Sequence, residues 1–338
     1  MRNRLVSGNR PRAYIGSYVL GSGFVLAPEQ AEELIQRDPR NKDVLFPYLN
    51  GEDLNSRPDC SASRWVINFH DWPEERAREY PEVFAIVERD VKPERLKNNR
   101  PARRDRWWQF AERAPKLYET IANLDRVLVV ARVSKTALPA FIHTGHVISE
   151  AAVVFASNKA TDLSLLSSGI HYTWAINRGS SLKGDLRYTP SDVYETLPQL
   201  APTRRMQAVG LEFDRFRRSA MNNRQAGLTK LYNMVHNSSV VDNDIQELRK
   251  AHQEIDEAVA EAYGWTDLEL GHGFHQTRQG PRFTIAPAAQ TEVLDRLLEL
   301  NHEQHGASSG SEPCVRNRKP GESAKLGLFR GRQADALF

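Results

Sequence analysis

The sequence contains only two cysteines, Cys60 and Cys314, far apart and without a metal-ligating or redox partner beside either. A disulfide framework and a zinc site are therefore not expected. No apolar run reaches the roughly 18 residues that a membrane span needs. Basic residues stand near the N-terminus at Arg2 and Arg4, but the apolar segment of a signal peptide does not follow them. These absences predict a cytoplasmic chain with no membrane partner.

Signatures of catalysis are missing as well. There is no Gly-x-Ser-x-Gly elbow, P-loop or His-Glu-x-x-His pair. The Asn/Asp-Pro-Pro-Tyr/Phe tetrapeptide that serves amino-group methyl transfer is absent, as is an Asp…Glu-x-Lys endonuclease arrangement. Gly21-Ser22-Gly23 follows an apolar run, but it lacks the third glycine and the distant acid of a dinucleotide loop. His272/His275 and His302/His305 are spaced three apart without carboxylates at metal-site spacing, and His252 falls in an apolar stripe as a packing residue. No cofactor, metal or catalytic residue is expected in this chain.

What is present is a chain of 338 residues, 26% charged and 40% hydrophobic, long enough for two globular domains. Its net charge of +3 hides a segregation. Arg89 to Lys116 holds ten Lys/Arg against four Asp/Glu, and Ala201 to Arg224 holds six arginines against two acids. Asp242 to Glu269 holds nine acids against two basic residues. This swing predicts one face suited to a polyanion and another that repels it.

Short apolar runs at 65–69, 127–130, 140–142 and 151–155 read as strands, and 28–37, 73–80, 81–97 and 163–174 read as helices. Pro198 and Pro202 mark a boundary. Beyond it, Met206, Val209, Phe213, Phe216 and Ala220 form one helical stripe, and Ile245 to Ala262 forms another. A short strand at 281–285 and a helix at 287–302 follow. The expected fold is α+β, a mixed small-sheet domain followed by a helical bundle. Its parts are a flexible N-terminus (1–14), a sheet domain (15–200), a helical domain (201–305) and a disordered tail (306–338).

Ser181 to Pro190 places Lys183, Asp185 and Arg187 at alternate positions ahead of an expected helix start at Thr189-Pro190-Ser191-Asp192. Alternate residues of an extended segment point to one side. A donor, an acceptor and a second donor in a row can read base edges, since Lys or Arg donates to guanine O6/N7 and Asp accepts from cytosine N4. Asn98 to Phe110 interleaves Arg100, Arg103, Arg104 and Arg106 with Trp107, Trp108 and Phe110, a pattern suited to phosphate contact. Trp107 and Trp108 are expected in the core. Arg132 and Lys135 form a further basic pair at a strand end.

Several long segments resemble the C-terminal part of the MmeI-like (type IIL) restriction-modification enzymes, which fuse endonuclease, adenine methyltransferase and target-recognition domains. They include Gly16–Phe24, Asp43–Asn55, Ser63–Phe69, Ala131–Lys135 and Leu186–Asp192. Gly227–Lys230 and Ala262–Trp265 carry the likeness into the helical end, so that it spans about residues 15 to 304. The resemblance implies a target-recognition domain followed by a helical domain. It also implies that Lys183, Asp185 and Arg187 belong to the base-reading region of a double-stranded DNA site. If Lys183 and Asp185 face one base pair, a G·C pair is expected there. Full-length relatives carry the S-adenosylmethionine motif and the catalytic tetrapeptide upstream, where this chain has about fifteen residues. The expectation is a specificity module, or a remnant of one, for a restriction-modification or phage-defence system. S-adenosylmethionine would then bind only a separately encoded methyltransferase/endonuclease or a full-length relative. The alternatives are a complete adenine-specific methyltransferase with unrecognised motifs and an interaction scaffold that docks through the acidic helix 243–263.

Overall fold

A computed structural model describes residues 12–308 except Lys183, with side chains through Gln304. The first elements are β1 (Ala13–Ile15), β2 (Val25–Leu26), α1 (Pro28–Arg37), β3 (Leu45–Leu49), α2 (Gly51–Ser56) and β4 (Arg64–Ile67). Short helices follow: α3 (Glu74–Ala77), α4 (Pro81–Asp90), α5 (Lys92–Leu96), α6 (Pro101–Asp105) and α7 (Pro115–Ile121). Then come β5 (Arg126–Ala131), β6 (Val133–Ser134), β7 (Ala140–His143), β8 (Val147–Ile148) and β9 (Ala152–Phe155). After α8 (Ala160–Ser167) and α9 (Gly169–Arg178) lie β10 (Ser180–Leu182) and β11 (Asp185–Arg187). The chain continues as α10 (Arg204–Arg224), α11 (Leu228–Val235), α12 (Asn243–Ala262), β12 (Gly273–Thr277), β13 (Gly280–Thr284) and α13 (Pro287–Ser308). The α+β expectation holds. No helix among the described residues is long and apolar enough to cross a membrane.

Two hydrophobic cores hold these elements. The smaller is built on the sheet β2-β4-β3-β8, in which β3 and β8 run parallel, with α1 and α4 packed on it. Pro28 opens α1, where a missing N–H costs nothing, and Ala31 and Leu34 are the residues it buries. The larger core surrounds the antiparallel sheet β1-β9-β5-β7. Val127–Ala131 and Ala152–Phe155 are buried at every position. Their unbroken apolar runs are what strands covered on both faces require.

That larger core does not stop near residue 200. Trp174 of α9, Phe213 of α10, Leu248 of α12 and Leu297 of α13 belong to it together. The Ser164 hydroxyl donates to the Met206 carbonyl (2.8 Å), and the Asn301 amide donates to the Thr196 carbonyl (2.6 Å). The larger core is therefore continuous across residues 200 and 201, where the composition changes.

Other expectations are corrected locally. The helix expected at 163–174 is two helices, because the Ser168 hydroxyl donates to Leu165 O and accepts from His171 N, ending one and capping the next. Thr189-Pro190-Ser191-Asp192 opens a run of turns rather than a helix. Ala13 and Tyr14, expected in the loose N-terminus, pair with Phe155 and Val154 in β1. α13 passes the expected end at 305 to reach Ser308. Residues 1–11 and 309–338 lie outside the described residues.

Candidate nucleic-acid interface

The Ser181–Pro190 stretch is not one extended row. β10 and β11 pair antiparallel, Leu182 opposite Asp185, so the chain reverses between them, where Gly184 stands in a turn. Gly184 takes φ +89° in that turn, a backbone state that side chains rarely adopt. Lys183 lies outside the described residues. Asp185 and Arg187 do share one face of β11, half-buried and exposed respectively, while Leu186 between them points into the core.

β6 pairs with the other edge of β11, Ser134 opposite Leu186 and Val133 opposite Arg187. The three-stranded sheet β10-β11-β6 therefore brings Arg132 and Lys135, at the two ends of β6, beside Asp185 and Arg187. Lys135 is exposed. Arg132 is half-buried; its Nη1 donates to Glu150 O (3.3 Å), and its buried Nε has no partner among the described residues. Burial, and then the nearby Arg187 charge, push the Arg132 guanidinium below its ordinary range. Two cations held this close favour an incoming anion or a hydrogen-bond acceptor.

The Asn98–Phe110 stretch separates into two parts. Trp107 and Trp108 are buried edge to face, and Trp108 Nε1 donates to Trp72 O (2.9 Å), so both pack rather than offering stacking faces. Arg103 lies over the Tyr18 ring and 3.7 Å from Glu112, and Arg104 pairs with Asp105 at 3.1 Å. Arg100 and Arg106 are exposed, with no acidic partner among the described residues. A cleft of about 860 Å³ is lined by Tyr18, Glu112, Arg113, Lys116, Arg132 and Glu150 among others. It links the surroundings of Arg103 to the small sheet. Sequence reading passed over Arg95, which is buried and donates through Nη2 to Val19 O (2.9 Å) and Gln109 O (3.1 Å).

The other charged stretches cancel each other. Arg205 of α10 pairs with Glu257 (2.9 Å) and Glu261 (2.6 Å) of α12, and Arg224 pairs with Asp242 (3.0 Å) and Asp244. Arg217 is buried, donating to Pro139 O at 2.7 Å, and Arg218 pairs with Asp214 at 3.0 Å. Two of the six arginines at 201–224 thus meet four of the nine acids at 242–269, which lessens the expected contrast where the two helices pack. Gly21-Ser22-Gly23 is a packing device: a Cβ on Gly23 would meet Asp90 Cβ at 2.4 Å. His252 contacts the Tyr232 hydroxyl (2.7 Å), and burial pushes it down to about 3. His272 Nε2 lies 2.9 Å from Asp256 Oδ2, whose carboxyl burial pushes up.

The fold is similar to that of the type IIL restriction-modification enzyme MmeI, solved in complex with DNA. The TM-score is 0.67 at 20% identity, over 90% of this chain and 36% of that one. The chain thus spans little more than a third of that protein's length. No curated protein matches it. The family model described as MmeI, target recognition domain, matches residues 2–201, the part that holds the sheet β10-β11-β6. The chain therefore belongs to the family of the MmeI target recognition domain.

Proposed function

We propose that this chain reads a specific sequence in double-stranded DNA on behalf of a restriction-modification or phage-defence methyltransferase. The observation that carries the reading is the convergence of Arg132, Lys135, Asp185 and Arg187 on one three-stranded sheet. Cationic donors there suit guanine O6/N7, and the carboxylate suits cytosine N4. Lys183, outside the described residues, is read as a further donor. Arg100 and Arg106 are free to meet phosphates. Arg103 and Arg104 can exchange their weak surface carboxylate partners for phosphate. The DNA complex of MmeI, a protein of the same fold, supports this partner.

Methyl transfer and cleavage belong in this reading to catalytic domains outside residues 12–308. S-adenosylmethionine would bind there, in a separately encoded partner or a longer relative. The test is selection from a randomised duplex pool by the full chain, with and without such a methyltransferase. A recurring motif is expected. Exchanging the charges with Lys183→Glu and Asp185→Arg should change preference at one position of that motif. Recovery of unselected sequences by the wild-type chain in both arms would sink the proposal. Methyl transfer from S-adenosylmethionine by the chain alone would instead favour a complete methyltransferase.

A further inference from the structure

The hairpin β12–β13 lies beyond residue 201, where the family match ends, yet its hydrogen bonds reach the small sheet. At its base, His272 faces Asp256, whose Oδ1 accepts the Gly169 N–H at the start of α9 (2.6 Å). In its second strand, Arg282 is buried and donates through Nη1 to Lys135 O (2.9 Å) and to the Tyr172 hydroxyl (3.1 Å). At its tip, Gln279 Nε2 donates to Gly184 O (3.4 Å), and Gln279 Oε1 lies 2.9 Å from the Tyr172 hydroxyl. That hydroxyl is also 2.9 Å from Lys135 O. The hairpin thus holds the carbonyls of two residues of the reading sheet, one at the end of β6 and one at Gly184 in the turn.

Burying a guanidinium is costly unless its N–H groups find acceptors. Arg282 takes one such acceptor from Lys135, so its burial is tied to the position of that residue. Arg278, next to Gln279 in the turn, is exposed and has no acidic partner among the described residues. An unpaired guanidinium beside a base-reading sheet is well placed for the phosphate backbone of a duplex lying on that sheet.

We infer that this hairpin is part of the reading surface: Gln279 and Arg282 are positioning residues, and Arg278 contacts a phosphate of the DNA read by β11. The inference rests on the proposed function and adds to it a contribution from outside the matched recognition domain.

The test uses the full chain and the motif it selects. Arg278→Ala should weaken binding to all duplexes alike and reduce the slope of log affinity against log salt by about one. Gln279→Ala should blur preference at the position altered by the Lys183/Asp185 exchange, with the melting temperature held. Gln279→Glu, which loses the donor to Gly184, should blur the same position. A hairpin that only stabilised the fold would lower the melting temperature and weaken all sequences together, with the motif intact. Both effects are required. If the wild type selects a motif and the variants keep both slope and motif, the hairpin inference is overturned alone. If the wild type selects none, the proposed function falls with it.

Discussion

Two stretches of this chain carry a surplus of arginine and hold different shares of it in the fold. Along α10, Arg205, Arg217, Arg218 and Arg224 are each held by a carboxylate or a buried carbonyl, and Arg204 and Arg215 stay exposed without an acidic partner among the described residues. Around α6, Arg100 and Arg106 stand exposed without an acidic partner among the described residues. Charge density along a sequence therefore says little about binding until the packing shows which charges are already neutralised. The four held arginines of α10 tie the fold together, whereas around α6 only Arg103 and Arg104 have carboxylate partners, both at the surface.

The sharpest way to break this contrast is at Arg217. Arg217→Ala opens a cavity at a buried site, leaves the Pro139 carbonyl without its donor and takes one of two arginines from Asp214. It should cost about 3 kcal/mol of stability in denaturant melts. The salt dependence of DNA binding should stay as in the wild type.

Acid should loosen the same paired region. Burial pushes His252 and His236 down to about 3. Arg217 opposes the charging of His252, and Arg249 and Arg282 oppose that of His236. The unfolded chain takes up these protons below about pH 6.5, while the folded chain stays neutral until near 3. Stability is thus fully present above about 6.5 and falls as pH drops through that window. Each histidine contributes on the order of 2 kcal/mol between pH 7 and 5. Asp256, raised by burial, works in the opposite sense at the acid end. Thermal melts at the two pH values check this, and His252→Asn should flatten the dependence.

On the binding side, Arg187→Ala should cost about 1–3 kcal/mol of DNA affinity and relax preference at one position. Its melting temperature should barely move. The smallest effect is expected from Arg100→Gln combined with Arg106→Gln. Stability should hold within about 0.5 kcal/mol, and the salt slope should fall by about two. A loss of stability in that double variant would erase the contrast with α10.

How much was legible in the sequence follows from how local each cause is. The covered strands at 127–130 and 151–155 and the helix opened by Pro28 are set by neighbouring residues, and all three were readable. The break at Ser168 was hidden inside a continuous apolar run, because its cause is one hydroxyl. β12 was missed because Gly273-Phe274-His275-Gln276-Thr277 offers a single strongly apolar residue. The reversal at Gly184 was visible as Lys-Gly between two short runs and was read instead as continuous strand. The pairing of Arg205 with Glu257 and Glu261 joins charges 52 and 56 residues apart, which composition reports as segregation. At the site, Arg132, Lys135, Asp185 and Arg187 were each singled out from local pattern, but nothing local states that β6 lies along β11.

Leu186 is the one side chain of β11 that the core grips; Asp185 and Arg187 stand on the opposite face. The strand is thereby anchored by a single peg, and its outward lettering can be respelled without taking the scaffold apart. On the proposed reading, exchanging these two outward side chains would alter what the strand meets while Leu186 keeps it seated.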